Sequence, residues 1–143
     1  MKKNYFLISF ICFFSLFLAC KQEGSSGGGG GGGGQREKVL IDTEYYVSPG
    51  SYRTVSLSLS AGNEISGYFS VRSYDINFYI FNEVNYYKWK SGEAANGIIV
   101  KNRSSYSTFS FTVSTSGYYY IVLDNTYSIL TGKYVYVYVK AVY

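Results

Sequence analysis

From Val39 onward, apolar and polar residues alternate with a period of two. That spacing puts one face of an extended strand in a core and the other in water, as in antiparallel sheets. Val55, Leu57 and Leu59 alternate with Thr54, Ser56, Ser58 and Ser60. Ile65, Phe69 and Val71 share a face with Gly67, while Ser66, Tyr68, Ser70 and Arg72 point the other way. The same pattern returns at Ile76, Phe78 and Ile80, at Phe109, Phe111 and Val113, and at Val135, Val137 and Val139. Between these runs lie turn signals: Ser48-Pro49-Gly50, Ala61-Gly62-Asn63, Ser91-Gly92, Ala95-Asn96-Gly97, Ser114 to Gly117 and Thr131-Gly132. About eight strands with turns roughly every 8–12 residues predict an all-β fold, an antiparallel β-sandwich. Asn82 to Lys90 breaks the period and reads as a short helical turn or loop, with Trp89 tucking back as a plug at one end of the sandwich. Tyr118 to Leu123 is apolar on both faces, which predicts a central strand whose outer face is covered by a loop or by neighbouring aromatics.

The first part of the chain follows different rules. Lys2 and Lys3 precede an uncharged, apolar stretch from Tyr5 to Ala19, and Phe17-Leu18-Ala19-Cys20 stands where a cleavage site belongs. The stretch is about 15 residues, short of the roughly 20 needed to span a bilayer core. A small residue before a cysteine at this place resembles the lipobox of bacterial lipoproteins, although Phe17 departs from the usual Leu. The resemblance implies cleavage before Cys20, lipidation of Cys20 and a membrane anchor through its acyl chains. The expected organisation is a signal peptide over 1–19, a lipidated cysteine and flexible linker over 20–37, and a sandwich over 38–143. Gly24-Ser25-Ser26 and eight consecutive glycines make the linker a tether. Its 14 residues from Lys21 to Gly34 reach about 20 Å root-mean-square. Lys21 is not the aspartate that marks inner-membrane retention in enteric lipoproteins, so the resemblance implies an outer-membrane or cell-surface location.

Composition narrows the chemistry. There is no histidine, which excludes a histidine general base, a Ser-His-Asp triad and a histidine metal site. Cys12 leaves with the leader and Cys20 is claimed by lipid, so no disulfide framework, cysteine zinc site or thiol nucleophile is expected. The formal charge of +4 falls to +2 without Lys2 and Lys3, too weak a balance to argue for nucleic acid. No cofactor is expected.

With the strands placed, residues 47–142 are similar to the GOLD (Golgi-dynamics) β-sandwich. The matching pieces are Ser48-Pro49-Gly50-Ser51-Tyr52 leading into Val55–Leu59, Ala61 to Ile65 with Gly67 and Phe69, and Asp75 to Ile80. Ser116 to Asn125, Tyr127-Ser128 and the final strand from Val135 complete them. The resemblance implies a jelly-roll-like sandwich and a non-catalytic role in protein or ligand contact. The eukaryotic members carry a membrane helix and coiled coil after this domain, so their role in vesicle traffic is not expected to carry over. Prepeptidase-C-like accessory domains share much of the pattern and stay open as an alternative.

Three groups of residues are candidates for function. Tyr134, Tyr136 and Tyr138 form a stripe opposite the valine face of the last strand. A tyrosine offers a rigid ring with a polar tip, suited to stacking on a sugar or anchoring a protein contact. The same rings also serve as cross-strand pairs that stabilise the sheet. Tyr45, Tyr46, Tyr68, Tyr74, Tyr86, Tyr87 and Tyr106 enlarge the supply of surface tyrosine. Trp89 with Tyr86, Tyr87, Lys88 and Lys90 forms a second cluster, either a contact for an acidic group or a hydrophobic plug. Third, Asp42, Glu44, Asp75, Glu83, Glu93 and Asp124 are the carboxylates from which a glycosidase pair or a calcium site would have to be drawn. No dense acidic loop appears among them, and Asp124-Asn125 reads as a turn. The expected function is a lipid-anchored envelope protein binding an unknown protein or glycan. The alternatives are a glycan-cleaving enzyme built on carboxylates and tyrosines, or a self-associating structural protein.

Overall fold

The computed structural model describes residues 34–143. The leader, Cys20 and most of the glycine run lie outside the described residues. Eight strands and one helix follow in order: β1 Glu37–Val47, β2 Tyr52–Leu59, β3 Glu64–Val71, β4 Ile76–Asn82, α1 Glu83–Lys90, β5 Ile99–Ser104, β6 Tyr106–Thr112, β7 Gly117–Asp124 and β8 Lys133–Val142. They form two four-stranded sheets, β1-β8-β3-β6 and β2-β7-β4-β5, with every neighbouring pair antiparallel. Nearly every connection crosses from one sheet to the other, and only β4 to β5 stays within a sheet. This is the eight-strand jelly-roll arrangement that closes two sheets over one core.

The alternating runs become that core. Ile65, Phe69, Ile76, Phe78, Ile80, Ile121, Leu123, Val135, Val137 and Val139 are fully buried between the sheets. The rings of Phe69 and Phe78 stack across the sheet interface at 4.4 Å, and Phe109 tilts against Phe78 at 5.3 Å. Each such side chain stabilises the fold by about 1.5–3 kcal/mol relative to exposure. Gly67 lies where β3 runs against β8. A Cβ there would stand 2.1 Å from the Tyr138 carbonyl oxygen and 2.8 Å from the Phe109 ring, so the absence of a side chain lets the ring and the neighbouring strand close in. The strands, the helix and both hydrophobic clusters described above lie within residues 34–143.

The helix sits where the period breaks. The Asn82 side chain accepts a hydrogen bond from the Asn85 amide at 3.0 Å, capping the first turn, and Glu83 adds negative charge there. Gly92, at φ +78°, and Glu93 donate to the carbonyls of Trp89 and Lys88, a Schellman ending that needs a left-handed residue. The helix lies on the outer face of β4 and β7 rather than across an end of the sandwich. Its Tyr86 and Trp89 join Phe81, Val122, Tyr79 and Tyr120 in a second hydrophobic cluster. β7 is interior in its sheet and covered outside by this helix.

Candidate functional site

The outward positions of β1-β8-β3-β6 fall into register as rows of side chains. Asp42 pairs with Tyr138, which pairs with Tyr68, which pairs with Thr108. One row along, Glu44 meets Tyr136, then Ser70, then Tyr106, and Tyr46 faces Tyr134 in the row beyond. The stripe on β8 thereby gains Tyr68, Tyr46 and Tyr106 from three other strands. The Tyr68 ring lies 5.6 Å from Tyr138, 5.8 Å from Tyr136 and 6.1 Å from Tyr106, and Tyr46 lies 4.9 Å from Tyr134. Tyr134 and Tyr106 remain 49% and 58% exposed. The rings are therefore ordered by one another and still open to solvent.

Charged groups frame the rows. The Tyr136 hydroxyl donates to Asp42, and that bond, with burial second, raises the phenol's pKa. Arg72 grips Glu44 through two N–H groups at 2.6 and 2.8 Å and lies 5.4 Å from the Tyr134 ring centre. Lys140 pairs with Glu37 at 2.7 Å. Between Tyr68, Tyr138 and Lys140 the small side chains of Ser66, Thr108 and Ser110 help to line an open groove of about 620 Å³. The face thus offers flat apolar rings, hydroxyl tips and paired charges, with a depression between them.

The Trp89 cluster has a different environment. Tyr86 is buried and stacks on Tyr120 at 4.1 Å with 9° between the rings. Trp89 is half-buried against Tyr52, Phe81 and Tyr79. Of the three aromatic residues in this cluster, only Tyr87 is exposed. Burial, with hydrogen bonding to Tyr87 second, pushes the Tyr120 phenol up to about 12.

The carboxylates are dispersed. Asp42 and Glu44 serve the sheet rows, and Asp75 accepts from the Tyr127 hydroxyl at 2.8 Å. Asp124 accepts from the Asn77 side chain and the Thr126 amide, as a turn residue does. Among the described residues no group of three potential metal-binding side chains converges. No described helix is long and apolar enough to cross a membrane.

Sequence reasoning named the three tyrosines of β8 but did not join them to Tyr46, Tyr68 and Tyr106 as one face. The only available signal was their shared outward parity, and strand order was needed to use it.

Comparison with known proteins gives a family and distant likenesses among solved structures. The model of the emp24/gp25L/p24 family/GOLD matches residues 42–142. Among solved structures, PliG of Aeromonas hydrophila, a periplasmic inhibitor of g-type lysozyme, is 18% identical with a TM-score of 0.47. That similarity covers 77% of this chain and 87% of PliG. No curated protein matches the sequence.

Proposed function

We propose that this chain, which belongs to the emp24/gp25L/p24 family of GOLD domains, is a non-catalytic binding module displayed at the cell envelope. Its contact surface is the tyrosine face of β1-β8-β3-β6. The observation that carries the reading is that this aromatic sheet face lies open across four strands, whereas on the other sheet α1 covers the aromatic centre around Val122 and leaves only Tyr52 and Tyr118 exposed at its margins. Contiguous exposed aromatic surface marks interaction sites. Rings already held by their neighbours lose little further freedom on binding, which favours affinity. Hydroxyl tips keep such a face soluble while it is unoccupied.

The anchor completes the reading. Lipid on Cys20 fixes the protein to a membrane facing the periplasm or the outside, and the glycine tether lets the face turn toward a protein or glycan ligand. Intact mass of protein purified from its native membrane tests this part. The expected mass is a chain beginning at Cys20 plus two or three acyl chains, and a Cys20→Ser variant loses them. A mass with the leader attached, or without lipid, overturns the anchor alone.

Hydroxyl-radical footprinting tests the binding face without a known ligand. Oxidation is compared between the purified protein and the protein in its native envelope. The expected result is protection of Tyr46, Tyr106 and Tyr134 in the envelope, with Tyr87 unchanged. Equal oxidation of the face in both settings overturns the assignment.

A further inference from the structure

At the end of the sandwich where β8 begins, three connections converge. The β3–β4 turn brings Tyr74 and Asp75, the end of β5 brings Arg103, and the β7–β8 loop brings Tyr127. Together with Lys133 they line a hollow of about 300 Å³. Its charges are not balanced internally. Asp75 lies 3.0 Å from Arg103 Nε and also accepts from Tyr127, and the Arg103 guanidinium rests 4.0 Å from the Tyr127 ring centre. Burial alone raises the Asp75 carboxyl, but Tyr127 and Arg103 outweigh it and leave its pKa lowered, so Asp75 is ionised and Arg103 is neutralised.

Lys133 has no such partner. It is only 4% exposed, and among the described residues it makes no ion pair and no side-chain hydrogen bond. Its ammonium lies 4.5 Å from the centre of the Tyr74 ring, a contact that attracts the charge but accepts none of its hydrogen bonds in the ordinary way. The stem of the side chain is buried while the ammonium opens on the hollow, and its charge is felt by Asp75, which stands beyond ion-pair distance. Two further features mark the same end. Tyr74 and Arg103 hold left-handed φ angles of +70° and +51°, Arg103 at the irregularity in the β4–β5 pairing, and these turns aim their side chains at the hollow. The β7–β8 loop also carries Ile129 and Leu130, 78% and 88% exposed, an apolar pair in the loop that helps to form the cationic hollow.

We infer that this pole is a second binding site, separate from the tyrosine face. Its occupant is a carboxylate carried by an apolar segment of a partner protein. The carboxylate accepts hydrogen bonds from the Lys133 ammonium, and the flanking aliphatic side chains cover Ile129 and Leu130. With Asp75 offsetting Arg103, the hollow carries one uncompensated positive charge, which matches a single carboxylate better than a dianion. The pole is also accessible on a tethered domain. The chain enters at Glu37 beside Val142, whereas Lys133 pairs with Val47 at the other end of the same two strands.

The test is an amide-resolved NMR titration of the full chain. The probes are a short capped peptide with one glutamate among leucines, the same peptide with glutamine, and hexanoate. The glutamate peptide is expected to shift the Arg103, Ile129, Leu130 and Lys133 signals at millimolar concentration. The glutamine peptide binds roughly tenfold more weakly, the difference made by one charge-assisted hydrogen bond. Lys133→Met keeps the buried stem, removes the charge and abolishes the shifts while Tm holds or rises. Ile129→Ser with Leu130→Ser weakens binding without moving Tm. No shift with the glutamate peptide, or equal binding of the two peptides, overturns the inference. Hexanoate binding as tightly as the peptide assigns the hollow to a small free acid and overturns the protein partner. A clear fall in Tm for Lys133→Met shows that the ammonium serves only the fold.

Discussion

The outward rows of both sheets are rich in aromatic side chains. On β2-β7-β4-β5 they are Tyr79, Phe81 and Tyr120 around Val122, with Tyr52 and Tyr118 at the margins; on β1-β8-β3-β6 they are Tyr46, Tyr68, Tyr106, Tyr134, Tyr136 and Tyr138. Tyr79, Phe81 and Tyr120 lie under α1 and form a second core with Val122. Among the described residues the second set has no helix above it, and it carries tyrosine at every aromatic position, with carboxylates and Arg72 along one side. Covered, a sheet face can hold Phe81 and Val122 beside a Tyr120 ring stacked on Tyr86 at 4.1 Å. Left open, it takes rings that each end in a hydroxyl. The difference teaches that aromatic content alone does not mark a binding face; what covers it does.

The largest expected effect lies on the covered face. Tyr86→Ala removes the ring stacked on Tyr120 and opens the second core. It should lower stability by about 3 kcal/mol, as buried aromatic truncations do. A urea midpoint near the wild-type value would show that α1 is only loosely docked and that the two faces are alike.

Next is Gly67→Ala, which forces a methyl against the Tyr138 carbonyl and the Phe109 ring. The expected cost is about 1–3 kcal/mol from overpacking, seen as a lower thermal midpoint. Its effect on the open face comes through displacement of β8, so the β8 tyrosine amide signals should shift with it.

Tyr134→Ser with Tyr138→Ser sharpens the contrast from the other side. Exposed cross-strand pairs contribute only a few tenths to about 1 kcal/mol each. The double variant should therefore stay folded while losing the envelope footprint on the remaining tyrosines. Large unfolding would mean that these rings serve the sheet and not a ligand.

The two faces also differ in why a phenol resists ionisation. Tyr136 is held neutral mainly by Asp42, and Tyr120 mainly by burial. In both, the folded pKa lies above the ordinary value of 10.0, so the stabilisation is complete below that pH and is lost as pH rises through the folded value. Asp42→Asn should bring the Tyr136 titration back toward 10 in an absorbance experiment and leave that of Tyr120 in place. Equal movement of both would contradict the assigned causes. Smallest of all, Arg72→Ala removes an exposed pair with Glu44 and should leave the thermal midpoint unchanged, since such pairs contribute little.

Much of the fold was legible because a strand with one buried face writes a period of two into the chain. The runs at 55–59, 65–71, 76–80, 109–113 and 135–139 all face the core as the alternation required. β1 and β5 were not legible as separate strands. Both lie at sheet edges, and each has an irregularity in its pairing, at Val39/Ile41 and at Ile76/Phe78 respectively, which blurs the period. The plug role of Trp89 was legible in kind but not in place, because a short capped helix does not state which surface it will cover.

The sequence by itself determined the alternation, the turns and the outward tyrosines of β8, since these follow from backbone geometry and side-chain polarity within a few residues. Only the tertiary structure decided which strands became neighbours, which aromatic face α1 covered, and that Lys133 would line a hollow with Asp75 and Arg103. Those depend on contacts between residues far apart in the chain, where pairing energy and packing rather than local preference select the arrangement.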